Sequence, residues 1–200
     1  MVATETKYLS AAETAKLVRS ALKQSFPGVT FSVRSRKYSG GASIDVSWTD
    51  GPRTPEVEAI AKRYEGADFD GMIDLKYSKS HYLRPDGTTL VEYNPGTQSS
   101  MGTDPGLDNR HLAAIMPADV QRVHFGADFI FCSRDISNYD AKLADALAWC
   151  YANLHIEEPV TNNPNADRFG NEWINNIARR MVQGQAVGES WEATFKRRYN

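Results

Sequence analysis

The sequence predicts an α+β protein: a small antiparallel or mixed sheet of three to five strands, built on a helix-strand-strand-helix unit, covered by helices and followed by a helical C-terminal portion. Three observations predict it. Phe31 to Trp48 alternates apolar and polar residues in two arms around Gly40-Gly41, the mark of a β-hairpin with one buried face. The flanking segments, Ala11 to Phe26 and Val57 to Tyr64, repeat apolar residues at helical spacing, and so does the chain from Leu143 onward. The 200 residues, 41% hydrophobic and 24% charged, suffice to bury a core without metal or disulfide support.

Taken in order, the first helix opens on Ser10-Ala11-Ala12-Glu13, a capping-box pattern in which serine and glutamate satisfy exposed backbone donors reciprocally. Ala11, Ala15, Val18, Leu22 and Phe26 form its apolar stripe, and Pro27-Gly28 ends it. Lys16, Arg19 and Lys23 recur about a quarter turn round from that stripe, which places them beside the cations of the hairpin. In the hairpin, Phe31 and Val33 point one way and Arg34 and Arg36 the other. A turn at Gly40-Gly41 sets Val33 opposite Trp48 and Arg36 opposite Asp45. The second helix takes Thr54 as N-cap and Pro55 at its first position, with Val57, Ile60, Ala61 and Tyr64 as its buried edge and Gly66 as its stop.

Asp68-Phe69-Asp70-Gly71-Met72-Ile73-Asp74 reads as an acidic turn running into another strand. Three aspartates beside a glycine invite a metal, but the spacing is not that of an EF-hand and the closing glutamate is missing. The structural alternative is an acidic loop that faces the basic patch or caps nearby backbone. Pro85-Asp86-Gly87 separates two hairpin arms. Residues 94–117 are punctuated by glycine and proline and are either a binding loop or a disordered stretch. His124 to Cys132 returns to the sheet as one buried strand. Ser137-Asn138-Tyr139-Asp140 caps a helix with the stripe Leu143, Leu147, Cys150 and Leu154, and Trp173, Ile177 and Met181 mark another. Trp191, Phe195 and Tyr199 repeat every four residues and pack the tail down; a loose tail would instead offer them, with Lys196-Arg197-Arg198, as a partner-binding helix. The division expected is an α+β domain over residues 1–134 and C-terminal helices over 135–200, packed on the same domain.

Several of these stretches together carry a resemblance. Tyr8 to Lys16, Phe26 to Ser35, Tyr38 to Pro52 and Asp68-Phe69-Asp70-Gly71-Met72 resemble a large polyvalent protein-associated domain, over roughly residues 8 to 85. That family occurs in multidomain proteins of phages and conjugative elements, beside helicase-like or methyltransferase-like modules, and in short free-standing proteins. It has no catalytic motif to transfer. The resemblance implies a phage or plasmid setting and a part in protecting incoming DNA from host defence. This chain departs from the multidomain members in carrying no recognisable enzyme module.

The residues by themselves point to binding rather than catalysis. No phosphate-binding loop, zinc quartet, metalloprotease pair or nucleophile elbow is present. Cys132 with His124 or His155 imitates a nucleophile and base, but Phe129-Ile130-Phe131 marks a buried thiol, and both cysteines are read as reduced core thiols. His81 belongs at a polar strand end, and His111 has no chemical context. The net charge of -2 is unevenly spread: between Glu13 and Asp45 there is no acidic residue and there are six cations. The expected binding residues are therefore Lys16, Arg19, Lys23, Arg34, Arg36, Lys37 and Tyr38, on one face that meets a protein or, through phosphates and base stacking, a nucleic acid. With the resemblance, they imply an inhibitor of a host nucleic-acid-targeting defence complex of the anti-CRISPR or anti-restriction type, acting without catalysis, cofactor or metal. The alternative is a nucleic-acid-binding accessory domain serving helicase or methyltransferase partners. No apolar run approaches the roughly 20 residues that cross a bilayer, and Met1 to Lys7 lacks the features of a signal peptide, so the expected place is the cytoplasm of a bacterial host, away from membrane.

Overall fold

A computed structural model of the chain describes residues 5–92, 119–153 and 167–184, with the side chains of the last stretch described from residue 174 onward. The chain divides into two compact units, residues 1–135 and 136–200. In the first, the order is β1 (Lys7–Tyr8), α1 (Ala11–Ser25), β2 (Ser32–Tyr38), β3 (Gly41–Thr49), α2 (Thr54–Ala61), a 3₁₀ turn (Lys62–Tyr64), β4 (Ala67–Asp70), β5 (Leu75–Ser78), β6 (His81–Leu83), β7 (Thr89–Val91), β8 (Gln121–His124) and β9 (Phe129–Asp135). The class is α+β, but the strands are more numerous than the expected three to five. Among the described residues nine of them form three small sheets, β2-β3-β9, β1-β8-β6-β7 and β4-β5.

The capping box at the start of α1 forms as its residue types require: Ser10 N–H donates to Glu13 Oε2 at 2.8 Å and Glu13 N–H to Ser10 Oγ at 3.2 Å. Ala11, Ala15, Val18 and Leu22 are buried against the central sheet, and Thr14 is buried with them. Fully buried Val18 and Leu22 each stabilise the fold by about 2 kcal/mol.

The β2–β3 hairpin keeps the predicted faces but not the predicted pairs. Val33 lies opposite Val46 and Arg34 opposite Asp45, because the turn is Ser39-Gly40 rather than Gly40-Gly41. Gly40 supplies the positive φ of the turn, +89°. Gly41 is a strand residue whose Cα lies against the Asp128 carboxylate and the Tyr38 ring, leaving no room for a Cβ. The register slips by two residues, an even number, so every side chain stays on its face. Parallel β9 completes the sheet, with Ile130 beside Ile44 and Cys132 beside Val46.

The second helix starts one residue earlier than expected. Arg53, not Thr54, is its N-cap: Arg53 N–H donates to Glu56 Oε2 at 2.8 Å while its guanidinium reaches Oε1. Val57, Ala61 and Tyr64 are buried and Ile60 half-buried. The acidic stretch is not a turn alone, because Ala67–Asp70 is a strand paired antiparallel with Leu75–Ser78. The expected single strand from His124 to Cys132 is instead the end of β8 and the start of β9. Phe125 to Asp128 carries the chain from one sheet to the other, with Asp128 N–H donating to the Ala42 carbonyl. The hairpin arms around Pro85-Asp86-Gly87 are β6 and β7, and Arg122 of β8 clamps Glu92 at 2.7 Å beside them.

In the second unit α3 (Tyr139–Asn153) and α4 (Asp167–Val182) pack through Ala146, Cys150, Ile174, Ile177 and Ala178. Leu143, Leu147 and Met181 border this small core, so the expected stripe is centred on Ala146 and Cys150. Loop 94–117, His111, Leu154, His155, the side chain of Trp173, and Trp191, Phe195 and Tyr199 lie outside the described residues.

Candidate functional site

Alternation along each strand sorts the central sheet onto two faces. Val33, Ile44, Val46, Trp48 and Ile130 point inward and form one core with the buried sides of α1 and α2. The outward set is Ser32, Arg34, Arg36 and Tyr38 on β2, Ser43, Asp45, Ser47 and Thr49 on β3, and Phe129, Phe131, Ser133 and Asp135 on β9, of which Ser43 is buried. Both described helices of this unit lie on the inner face, and among the described residues no helix covers the outer one. Phe131 is 58% exposed and Tyr38 50%.

The open face has mixed chemistry. Arg36 Nε lies 2.8 Å from Asp45 Oδ2, diagonally across the hairpin, and Arg34 sits beside the same aspartate in register. One carboxylate is thus ion-paired with Arg36 and stands in register between Arg34 on β2 and the exposed Phe131 on β9. At its far end the face runs into a cleft of about 560 Å³ whose walls include Thr30, Ser32, Ser47, Thr49 and Asp135. Hydroxyls and one carboxylate can hydrogen-bond a ligand or a peptide, but none of them is paired with a base that would make it a nucleophile.

The seven residues expected to form one binding surface do not all meet. Arg34, Arg36 and Tyr38 share the open face. Lys37 alternates to the inner side, opposite Ala42 at the hairpin tip. Lys16, Arg19 and Lys23 ride on α1, which must bury its apolar stripe on the inner face and therefore takes its cations to that side. Arg19 has a structural task there. Its Nη2 donates to the Val33 carbonyl at 2.8 Å and closes part of the exposed edge of β2. Sequence reasoning missed Phe131, hidden in an apolar run taken as wholly buried. The signal that would have found it is that a strand covered on one side only must turn every second residue to water.

The other chemical candidates are accounted for by structure. Cys132 is half-buried, and desolvation pushes its thiol up to about 11, away from a reactive thiolate. His124 Nδ1 lies 3.0 Å from the Lys79 carbonyl, to which it donates. His81 does stand at a strand end, opening β6, but the setting is not polar: it is fully buried, its ring 4.7 Å from that of Phe125, and burial lowers its pKa to about 3. Asp70 accepts from Met72 N–H at 2.9 Å and Asp68 faces Lys79 Nζ at 3.6 Å. Among the described residues no three His, Cys, Asp or Glu side chains gather as a metal site, and no helix is long and apolar enough to cross a membrane.

No curated protein and no solved structure matches the chain. A family model described as large polyvalent protein associated domain 29 matches residues 9–137, from the turn before α1 to just past β9.

Proposed function

The chain belongs to the large polyvalent protein associated domain 29 family, and on that premise we propose that it is a counter-defence protein of a phage or plasmid. It binds a host nucleic-acid-targeting defence complex, of the CRISPR or restriction type, through the open face of the β2-β3-β9 sheet, and disables it without chemistry of its own. The observation that carries this reading is the grouping of Arg34, Arg36, Tyr38 and Phe131 on one face that no helix covers among the described residues. Half-exposed aromatics on one face with arginines are the composition of a protein interface anchor. The Asp45 carboxylate between the two arginines favours a protein target over phosphate, because it already offsets one of the two charges a phosphate would need.

Affinity capture from host extract, with and without nuclease, tests the proposal when the wild type is compared with Arg34→Glu and Phe131→Asp. The expected result is a defence protein or nucleoprotein complex that survives nuclease and is lost at least about tenfold in either variant. Recovery of nucleic acid alone at physiological salt, with a salt dependence flattened by Arg34→Glu, would overturn it in favour of the accessory nucleic-acid-binding domain.

A further inference from the structure

The two edges of the central sheet are finished differently. On β9 the Ile130 N–H, turned away from β3, donates to Glu65 Oε1 at 2.9 Å, so a side chain just past the 3₁₀ turn closes that edge. β2 forms the other edge, and among the described residues no strand pairs with its outer side. Two hydrogen bonds fix which of its backbone groups look outward. The Val33 carbonyl accepts from Arg19 Nη2 at 2.8 Å, away from β3, and the carbonyl of Ala42, the partner of Lys37, accepts from Asp128 N–H at 2.7 Å, away from β2. In an antiparallel ladder such outward-facing pairs alternate with hydrogen-bonded ones. Val33, Ser35 and Lys37 therefore turn their N–H and C=O groups out of the sheet, while Arg34, Arg36 and Tyr38 use theirs on β3. Arg19 covers the Val33 carbonyl. Ser35 and Lys37, both exposed, still present donors and acceptors in the alternating order that an added strand needs.

The side chains around this edge select the strand. Lys16, Arg19 and Lys23 fall within about 60° of one another around α1, and the bond from Arg19 turns that side of the helix to the edge. The helix runs antiparallel to β2: Phe26, beyond Arg19, packs on Phe31, before Val33, with ring centroids 5.9 Å apart. Lys16, almost a turn before Arg19, thus stands toward Ser35 and Lys37. Lys37 projects to this inner side and Arg34 to the outer one. Arg36 is held by Asp45, whereas among the described residues Lys16, Arg34 and Lys37 form no ion pair. A strand laid along β2 alternates its own side chains between the two sides. Acidic residues on it would meet Lys16 and Lys37 on one side and Arg34 on the other. The same cations repel a second copy of β2. Nucleic acid would satisfy the cations but leave the outward carbonyls of Ser35 and Lys37 without donors in register.

We propose that β2 is a docking edge that takes an extended segment of a partner protein, rich in aspartate and glutamate, as an additional strand paired through Ser35 and Lys37. The proposal rests on the edge and not on the open face of the sheet, so either can fail without the other.

Amide hydrogen exchange of the full chain by NMR tests it, with a synthetic peptide of about eight residues, rich in glutamate and valine, as the probe. The expected result is a dissociation constant on the order of 100 μM, with exchange slowed at the Ser35 and Lys37 amides and unchanged at those of Arg34 and Arg36, which the ladder already protects. Ser35→Pro removes an outward N–H and no ladder bond, so circular dichroism should not change while peptide binding falls at least about tenfold. Lys37→Glu should weaken binding at least about threefold, and Phe131→Asp, on the open face, should leave it as it was. A peptide of the same charge with proline at alternate positions should not bind. Equal binding of that peptide, or tighter binding of an oligothymidylate of the same charge at physiological salt, would overturn the proposal, since charge alone would then be what the edge reads. So would unchanged exchange at Ser35 and Lys37 with peptide at about 2 mM.

Discussion

His81 is the residue whose environment disagrees most with its chemistry. Both ring nitrogens are buried without a hydrogen-bond partner among the described residues, against Phe125 and near Lys79 and His124. Burial holds the ring neutral down to about pH 3, well below the ordinary histidine value. A folded pKa that lies below the unfolded one means that the unfolded chain binds the extra proton. Stability from this group is therefore complete above about pH 6.5 and declines as pH falls from there toward 3, by about 1.4 kcal/mol per pH unit. His81→Leu should remove one proton from the pH slope of chemical denaturation midpoints between pH 6 and 4. It should also raise stability at pH 7 by about 1 kcal/mol, because two unpaired buried polar atoms disappear. An unchanged slope would show that His81 is protonated in the native state. At the same scale, Ser10→Ala should return the Glu13 carboxyl, now held low by its hydrogen bonds to the Ser10 backbone and hydroxyl, toward its ordinary value, as read by NMR titration. The capping box was legible in the sequence because all its partners lie within three residues. His81 was not, because its burial is imposed by Phe125, 44 positions away.

Among the elements, α1 does the most. Its buried stripe closes the central sheet, its capping box fixes where it begins, and Arg19 covers the edge of β2. Leu22→Ala should cost about 3 kcal/mol, since Leu22 is wholly enclosed between α1 and the sheet and little can collapse into the space left. Thermal unfolding would register this as a lower midpoint with no change in circular dichroism at low temperature. Arg19→Ala tests the edge: if the guanidinium guards it, the variant should aggregate faster on mild heating while Lys16→Ala does not, as light scattering would show. The stripe of α1 was readable from periodicity alone, which depends only on residues within the helix. The partner of Arg19 was not, because a carbonyl left unpaired at an edge has no sequence signature.

For the whole molecule, the family match ends at residue 137 and the first compact unit at 135. Residues 1–135 should accordingly unfold cooperatively on their own, and limited proteolysis of the full chain should yield a stable fragment ending near Ile136; loss of the melting transition on truncation would refute this. What local sequence determined is the class of the protein and most of its pieces: alternation fixed which side chains of the hairpin face the core, and caps and helical spacing fixed α1, α2, α3 and α4 to within a few residues. Alternation has a period of two, so it determines the face but not the pair, and only the turn at Ser39-Gly40 decided that Val33 meets Val46. Tertiary structure alone decided which cations stand together. Once α1 covers the inner face, its lysines are separated from Arg34 and Arg36 by the thickness of a sheet, and Phe131, far away in the chain, joins the arginines' face beside Asp45 because β9 pairs in parallel with β3.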